Sequence, residues 1–238
     1  MTTILALAQD AATELSLSAP GTLFGDSVTD EGTKLLRHLT RTCRSLVARY
    51  DWQKLRREHT FTTVATEAQT SSTPIPTDFG RFIEGTIWNR TTTWAIEGPL
   101  SPDQYQAEKA ANVTRVQPAF MIRNGIWLFT PTPSAGETIA YEYMTKAIGT
   151  DTSLATARTA FTADDDETYF DDELIVLGTV WRYRKAEGFD YAEDYREFEL
   201  HLYNAFKMDG GRQKLVMVDS GAGTVPLPPR TPDRLVFT

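Results

Sequence analysis

Apolar residues recur at two different periods along the chain, and the switch between them divides the sequence. Over residues 3–17, Ile4, Leu5, Leu7, Ala8, Ala11, Ala12 and Leu15 fall at the i, i+3/i+4 spacing of an amphipathic helix, which Pro20-Gly21 ends. A second helix is predicted from about Thr29 to Asp51, with Leu35, Leu36, Leu39, Cys43, Leu46, Val47 and Tyr50 on one face. Asp30 and Glu31 stand in its first turn and Arg41, Arg44 and Arg49 in later turns, the polarity that complements a helix dipole.

Beyond Trp52 the period shortens. Phe61–Val64, Ile83–Trp88, Thr93–Ile96, Phe120–Ile122, Ile126–Phe129 and Ile139–Tyr143 are rich in Thr, Ile, Trp, Tyr and Phe and are separated by turn residues, so they read as short strands. Asn124-Gly125 between two apolar runs is a hairpin signal. Helical spacing returns from Asp171 to Glu187, with Leu174, Ile175, Leu177, Gly178 and Trp181, and Gly188 breaks it. A last helix is predicted over Tyr191 to Met208, with Phe198, Leu202, Ala205 and Phe206 on one face and Gly210-Gly211 at its end. Arg212 to Thr238 contains Pro226, Pro228, Pro229 and Pro232 and no helical period, so it reads as an extended arm.

The expected fold class is α+β: a four-helix base with an all-β insertion between the second and third helices and an extended C-terminal arm. The expected domains are a helical unit of residues 1–56 and 150–211, a β-rich insertion of 57–149 and an arm of 212–238. The 238 residues are 41% hydrophobic and 24% charged, enough apolar surface for a core and too little length for three domains.

Charge placement says more than charge total. The formal charge is −8, yet residues 164–199 alone hold 13 acidic groups against four basic ones, so the rest of the chain is close to neutral. Tight nucleic-acid binding draws on clustered Lys and Arg, and no basic stripe stands out along the sequence. Cys43 has no second cysteine to pair with and lies on an apolar helix face, as expected of a chain folded in a reducing cytoplasm. The first residues lack a basic n-region and no apolar run reaches the roughly 18–20 residues of a membrane span, so a soluble, non-secreted protein with no membrane partner is expected.

Catalytic and metal signatures are weak. Counted from Asp164, an EF-hand loop needs glycine at its sixth position, where Tyr169 stands, so Asp164-Asp165-Asp166-Glu167 reads as a solvated linker ahead of helix-start charges. His38, His59 and His201 are scattered without zinc-ligand spacing, and His38 reads as a surface residue. No nucleophile elbow, P-loop or dinucleotide fingerprint occurs, and Asp219-Ser220-Gly221-Ala222-Gly223 reads as a joint. A glycosidase needs only two carboxylates flanking a cleft, and 32 acidic residues select no pair. The insertion's aromatics read first as sheet core; a sugar platform of Trp88, Trp94 or Trp127 is the alternative. The arm joins stiff proline geometry to apolar anchors, which a neighbouring subunit would bury.

Several segments together resemble the bacteriophage head-to-tail adaptor family. Tyr50-Asp51-Trp52-Gln53-Lys54-Leu55-Arg56, running through Phe61-Thr62-Thr63-Val64 to Pro74-Ile75-Pro76-Thr77-Asp78-Phe79, is similar to that family's second helix end and proline-aspartate turn. Gly125-Ile126-Trp127-Leu128-Phe129-Thr130-Pro131 with Tyr141-Glu142-Tyr143 is similar to its second half-insertion. Ala163-Asp164-Asp165-Asp166-Glu167, through Trp181-Arg182 and Gly188-Phe189-Asp190-Tyr191 to Gly210-Gly211, is similar to its C-terminal helix pair. The resemblance spans roughly residues 30–212 and fits both short-tailed and long-tailed phage adaptors.

This resemblance implies a non-enzymatic ring, usually of twelve copies, beneath the portal in the virion neck. Its partners would be the portal protein, a tail or nozzle protein, further copies of itself, and viral DNA passing through without specific binding. No cofactor, metal or catalytic residue is implied. Leu227, Arg230, Arg234, Leu235, Val236 and Phe237 would bind the portal or a neighbouring subunit. Asp164, Asp165, Asp166 and Glu167 are channel-lining candidates, because an acidic wall repels phosphate and lets DNA slide. A carbohydrate-binding tail module and a cell-wall-degrading glycoside hydrolase remain the alternatives.

Overall fold

The structure is a computed structural model that describes residues 2–70, 74–111, 115–153 and 156–210. Two helices lead, α1 (Ile4–Glu14) and α2 (Asp30–Arg49). There follow β1 (Arg56–Thr62), β2 (Ala68–Gln69), β3 (Phe79–Phe82), β4 (Trp88–Asn89), β5 (Trp94–Ala95), α3 (Pro102–Ala111), β6 (Ala119–Arg123), β7 (Ile126–Thr130) and β8 (Thr138–Thr145). Three two-residue strands, β9 (Gly149–Thr150), β10 (Ala157–Arg158) and β11 (Glu167–Thr168), precede α4 (Asp172–Glu187) and α5 (Ala192–Asp209). The arm, including Leu227, Arg230, Arg234, Leu235, Val236 and Phe237, lies outside the described residues.

Local chemistry sets the helix ends. Thr29 Oγ1 accepts from the Gly32 amide at 3.1 Å and starts α2; Thr3 Oγ1 accepts from Ala6 and starts α1. α1 stops short of the expected Leu17, because Ser16 takes a left-handed φ of 57° and the Leu17 amide turns back to the Ala12 carbonyl at 2.8 Å. α1, α2, α4 and α5 bury their apolar faces in one core that includes Leu7, Leu39, Leu46, Ile175, Phe198 and Leu202. α4 is the central element: Leu174 through Val180 are all buried, so it has no solvent stripe until its last turns. Gly178 lets α2 and α5 approach it together, since a Cβ there would collide with Thr42 Cγ2 and stand 3.0 Å from the Phe198 ring.

The insertion builds two sheets around a second core. β8 is the hub of the larger sheet, pairing antiparallel with β1, β3 and β4, while β5 pairs with β4. β7 pairs with β6 and β2 in the smaller sheet. Asn124 and Gly125, with φ of 52° and 74°, form the tight β6–β7 turn; the absence of a Cβ makes that backbone easy for Gly125. Phe61, Phe120, Trp127, Phe129, Ile139, Tyr141 and Tyr143 then meet in a single aromatic cluster drawn from both sheets. β8 also links the two cores, because Met144 at its end packs with the helices, as do Trp52 and Leu55 where the chain enters the insertion.

The expectation of an α+β chain holds at the level of an α+β mixture, but two details differ. Five α-helices occur among the described residues, and α3 lies inside the segment expected to be all β. Its start is a capping box: Ser101 Oγ accepts from the Gln104 amide at 3.4 Å, Gln104 Oε1 accepts from the Ser101 amide at 3.1 Å, and Pro102 takes the first helical position. Ile83–Trp88 is not a strand before Trp88, because Thr86 Oγ1 donates to the Ile83 carbonyl at 2.7 Å and closes a turn.

Gly178→Ala is expected to lower the unfolding free energy by about 1–3 kcal/mol, the usual cost of overpacking a core. Urea denaturation of the variant against wild type measures it, and Thr42→Ser in the same background should recover part of the loss by removing Cγ2, the nearest clashing atom.

Candidate interaction surfaces

The acidic run ahead of α4 is largely internal wiring. Asp164 accepts from the Leu23 amide at 2.7 Å and the Thr22 hydroxyl at 2.6 Å, fastening the segment between α1 and α2. Asp166, expected on a channel wall, is only 1% exposed; its carboxylate accepts from the Thr162 and Ala163 amides at 2.6 and 3.1 Å, with Arg158 Nε 3.6 Å away. Its carbonyl also takes the Ile4 amide at 2.9 Å, so it holds the start of α1. Glu167 is half-buried in β11, and only Asp165 is exposed, receiving the Thr152 hydroxyl. Asp172 accepts from the Thr2 hydroxyl, a further tie to the N-terminal segment.

Groups that could do chemistry are dispersed or quenched. His38, expected at the surface, is half-buried edge-on to Tyr183, and burial, with Arg37, Arg182 and Arg41 nearby, lowers its pKa. Burial pushes the Cys43 thiol up to about 12, far from a thiolate at neutral pH. Among the described residues no group of three or more His, Cys, Asp or Glu side chains could hold a metal ion. A groove of about 390 Å³ between the α4 start and the α5 end is walled by Trp52, Phe170, Leu174 and Met208, with His201 at its edge. Among the described residues no helix is long and apolar enough to cross a membrane.

The aromatic side chains of the insertion do not make one stacking platform. Trp127 is 0% exposed and belongs to the aromatic core. Trp88 and Trp94 are 48% and 44% exposed, but the register pairs Trp88 with Ala95 and Trp94 with Asn89, which sends the two indoles to opposite faces of the β4–β5 hairpin. They border separate hollows, Trp88 beside Glu58 and Glu142 and Trp94 beside Val116 and Pro133.

The helical body carries exposed features that linear reading missed. On α5, Leu200 and Tyr203 are exposed one turn apart, Met208 follows, and Lys207 lies 4.1 Å over the Tyr203 ring. On α2, Arg37, Arg41 and Arg44 are exposed at i, i+4 and i+7, and no carboxylate lies within ion-pair distance of any of them among the described residues. The heptad spacing of these arginines was the available signal. On the side of α1, α4 and α5, burial first and then the charges of Glu173 and Glu197 raise the pKa of Glu14, an effect that Arg184, paired with Asp194, offsets in part.

A family model described as that of the SU10 adaptor protein matches residues 2–230, taking in every described helix and strand. No curated protein matches the chain.

Asp166→Ala is expected to cost about 1–3 kcal/mol, since it removes a buried carboxylate that accepts from the Thr162 and Ala163 amides and neighbours Arg158. Asp165→Ala, at an exposed position, should stay within about 0.5 kcal/mol of wild type. Urea unfolding of both variants checks the contrast.

Proposed function

Because the chain belongs to the SU10 adaptor protein family, whose members are phage head-to-tail adaptors, we propose that it forms a ring beneath the portal of a DNA-filled capsid and joins that portal to the tail. The role of the family is structural, and the observation that carries the reading is a match running through helical body and insertion alike. The helices of residues 1–56 and 150–211 would make the ring body. The insertion of 57–149 would reach toward a tail or nozzle protein, and the arm of 212–238 would dock on the portal or a neighbour.

Exposed Leu200, Tyr203 and Met208 support an assembling chain, because apolar and aromatic side chains outside a core are what subunit contacts bury. Viral DNA would pass through the ring without specific binding, eased by net acidity. Within the acidic run that repulsion would fall to Asp165 and Glu167, since Asp166 is spent on internal hydrogen bonds. The carbohydrate-binding reading loses ground because Trp88 and Trp94 diverge and Trp127 is buried.

A chain ending at Gly211 is expected to keep the wild-type circular dichroism spectrum and thermal midpoint. It is also expected not to sediment with portal rings of its own phage, whereas the full chain does. Cosedimentation of the shortened chain at the wild-type level would sink the proposed role of the arm.

A further inference from the structure

The described surface is electrically two-sided. Successive α-helical residues turn by about 100°, so Arg37, Arg41 and Arg44 fall within about 60° of one another and about 180° from the Leu35, Leu39 and Leu46 face of α2 that packs in the core. This ridge points away from α4. On α4, Gly178 and Arg182 meet Thr42 of α2, and Glu173 lies about 180° round the helix from Arg182. Glu14 ends α1 and Glu197 stands on α5, both of which pack on α4, and with Glu173 they form a patch across α4 from the ridge.

Each side carries an excess of one sign of charge, Arg184 and Arg196 on the acidic side being set against Asp194 and Glu193. Lys34 and Arg49, at the ends of α2, are matched within the chain by Glu187 at 2.7 Å and Glu199 at 2.6 Å, but the three ridge arginines between them are not. Buried Arg182 adds positive charge beneath α2, bonding only the Thr42 hydroxyl and the Gly178 carbonyl, with no carboxylate in ion-pair reach among the described residues. Across α4, Arg184 is held by Asp194, which leaves Glu14, Glu173 and Glu197 without an ion pair among the described residues. Like charges gathered on a face cost an isolated chain energy, which an oppositely charged partner face returns.

We propose that the α2 ridge of one copy docks on the Glu14, Glu173 and Glu197 patch of a second copy, head to tail. Complementary faces on opposite sides of one chain give a heterologous contact, the kind that closes into a ring when the rotation per copy divides the circle. The inference rests on the adaptor reading and adds to it the surfaces through which neighbouring copies meet.

The test uses two full-length variants. One carries Arg37→Glu, Arg41→Glu and Arg44→Glu; the other carries Glu14→Arg, Glu173→Arg and Glu197→Arg. Each is supplied to a phage of the same kind that lacks its own copy, and copies of the chain per purified particle are counted by mass spectrometry. Either variant alone sets like charge against like charge, and incorporation is expected to fall at least about tenfold. Supplying both together should restore it, because every contact in an alternating ring is again between opposite charges. Circular dichroism of the purified chains checks folding; should a triple variant not fold, Arg41→Glu and Glu197→Arg replace the sets and are read in the same way. Wild-type incorporation of either variant alone overturns the proposal, as does failure of the folded mixture to recover. A ridge variant that incorporates normally but has lost retention of duplex DNA assigns the ridge to nucleic acid and also overturns it. Absence of the wild-type chain from particles would reject the adaptor reading itself, whereas normal incorporation of the variants rejects only this contact.

Discussion

The close approach of three helices at Gly178 is the constraint from which the body of this protein follows. With hydrogen in place of a side chain, α4 admits Thr42 of α2 and the Phe198 ring of α5 to its surface at the same level. The exposed peptide is not left idle: the Gly178 carbonyl and the Thr42 hydroxyl both accept from one Arg182 nitrogen, at 2.9 and 3.0 Å. That guanidinium also lies 4.3 Å from the Trp181 ring centre, so a buried cation is held by dipoles and a π face instead of a carboxylate. Burial still lowers its pKa, to about 10, which leaves it charged at neutral pH. A helix surrounded in this way has no polar face to spare, and Leu174 through Val180 are accordingly all buried.

Tight packing around α4 then fixes how the insertion is carried. α2 ends where Trp52 turns inward, its Nε1 donating to the Leu46 carbonyl at 2.8 Å while its ring meets Phe170 and Phe206. The chain leaves as β1 with Arg56 opposite Met144 and returns as β8, whose last residue pairs carry it back into the helical core. Outgoing and returning strands are hydrogen-bonded neighbours over seven residue pairs, so helices and insertion are joined by a sheet and not by two loose linkers. On the other side of the body, the Asp164 and Asp166 bonds to residues 4, 5, 22 and 23 close the N-terminal segment over the same core.

What was legible in the sequence was whatever repeats at short range. α1, α2 and α5 show their period, α4 shows as a longer apolar run that Gly188 ends, and Asn124-Gly125 announces its turn because few other residues accept that backbone. α3 was hidden because its apolar pattern is poor: only Tyr105 is buried, and its one clear mark, Ser101-Pro102-Asp103-Gln104, lies between segments that read as strands. The acidic run misled in another way. Four successive carboxylates look alike in sequence, yet Asp166 faces inward to two amides and Asp165 outward to water, a difference made by distant segments that no local pattern records.

Charge illustrates the same limit at a larger scale. A net of −8 is a sum over the whole chain, and a sum erases direction. Read along the sequence, Arg41, Arg44 and Arg49 complement the helix dipole, an effect of the last turn worth about 0.3–1 kcal/mol per charge. Arg41 stands too far from the C-terminus of a 20-residue helix for that effect to reach it, and Arg37 stands farther still. Once the helix is folded against α4, Arg37, Arg41 and Arg44 form a ridge on one side of the body, and the glutamates of α1, α4 and α5 without an ion pair among the described residues form a patch on the other. A total counted along the sequence therefore says nothing of where charge lies, whereas the folded helices set the two signs apart across α4.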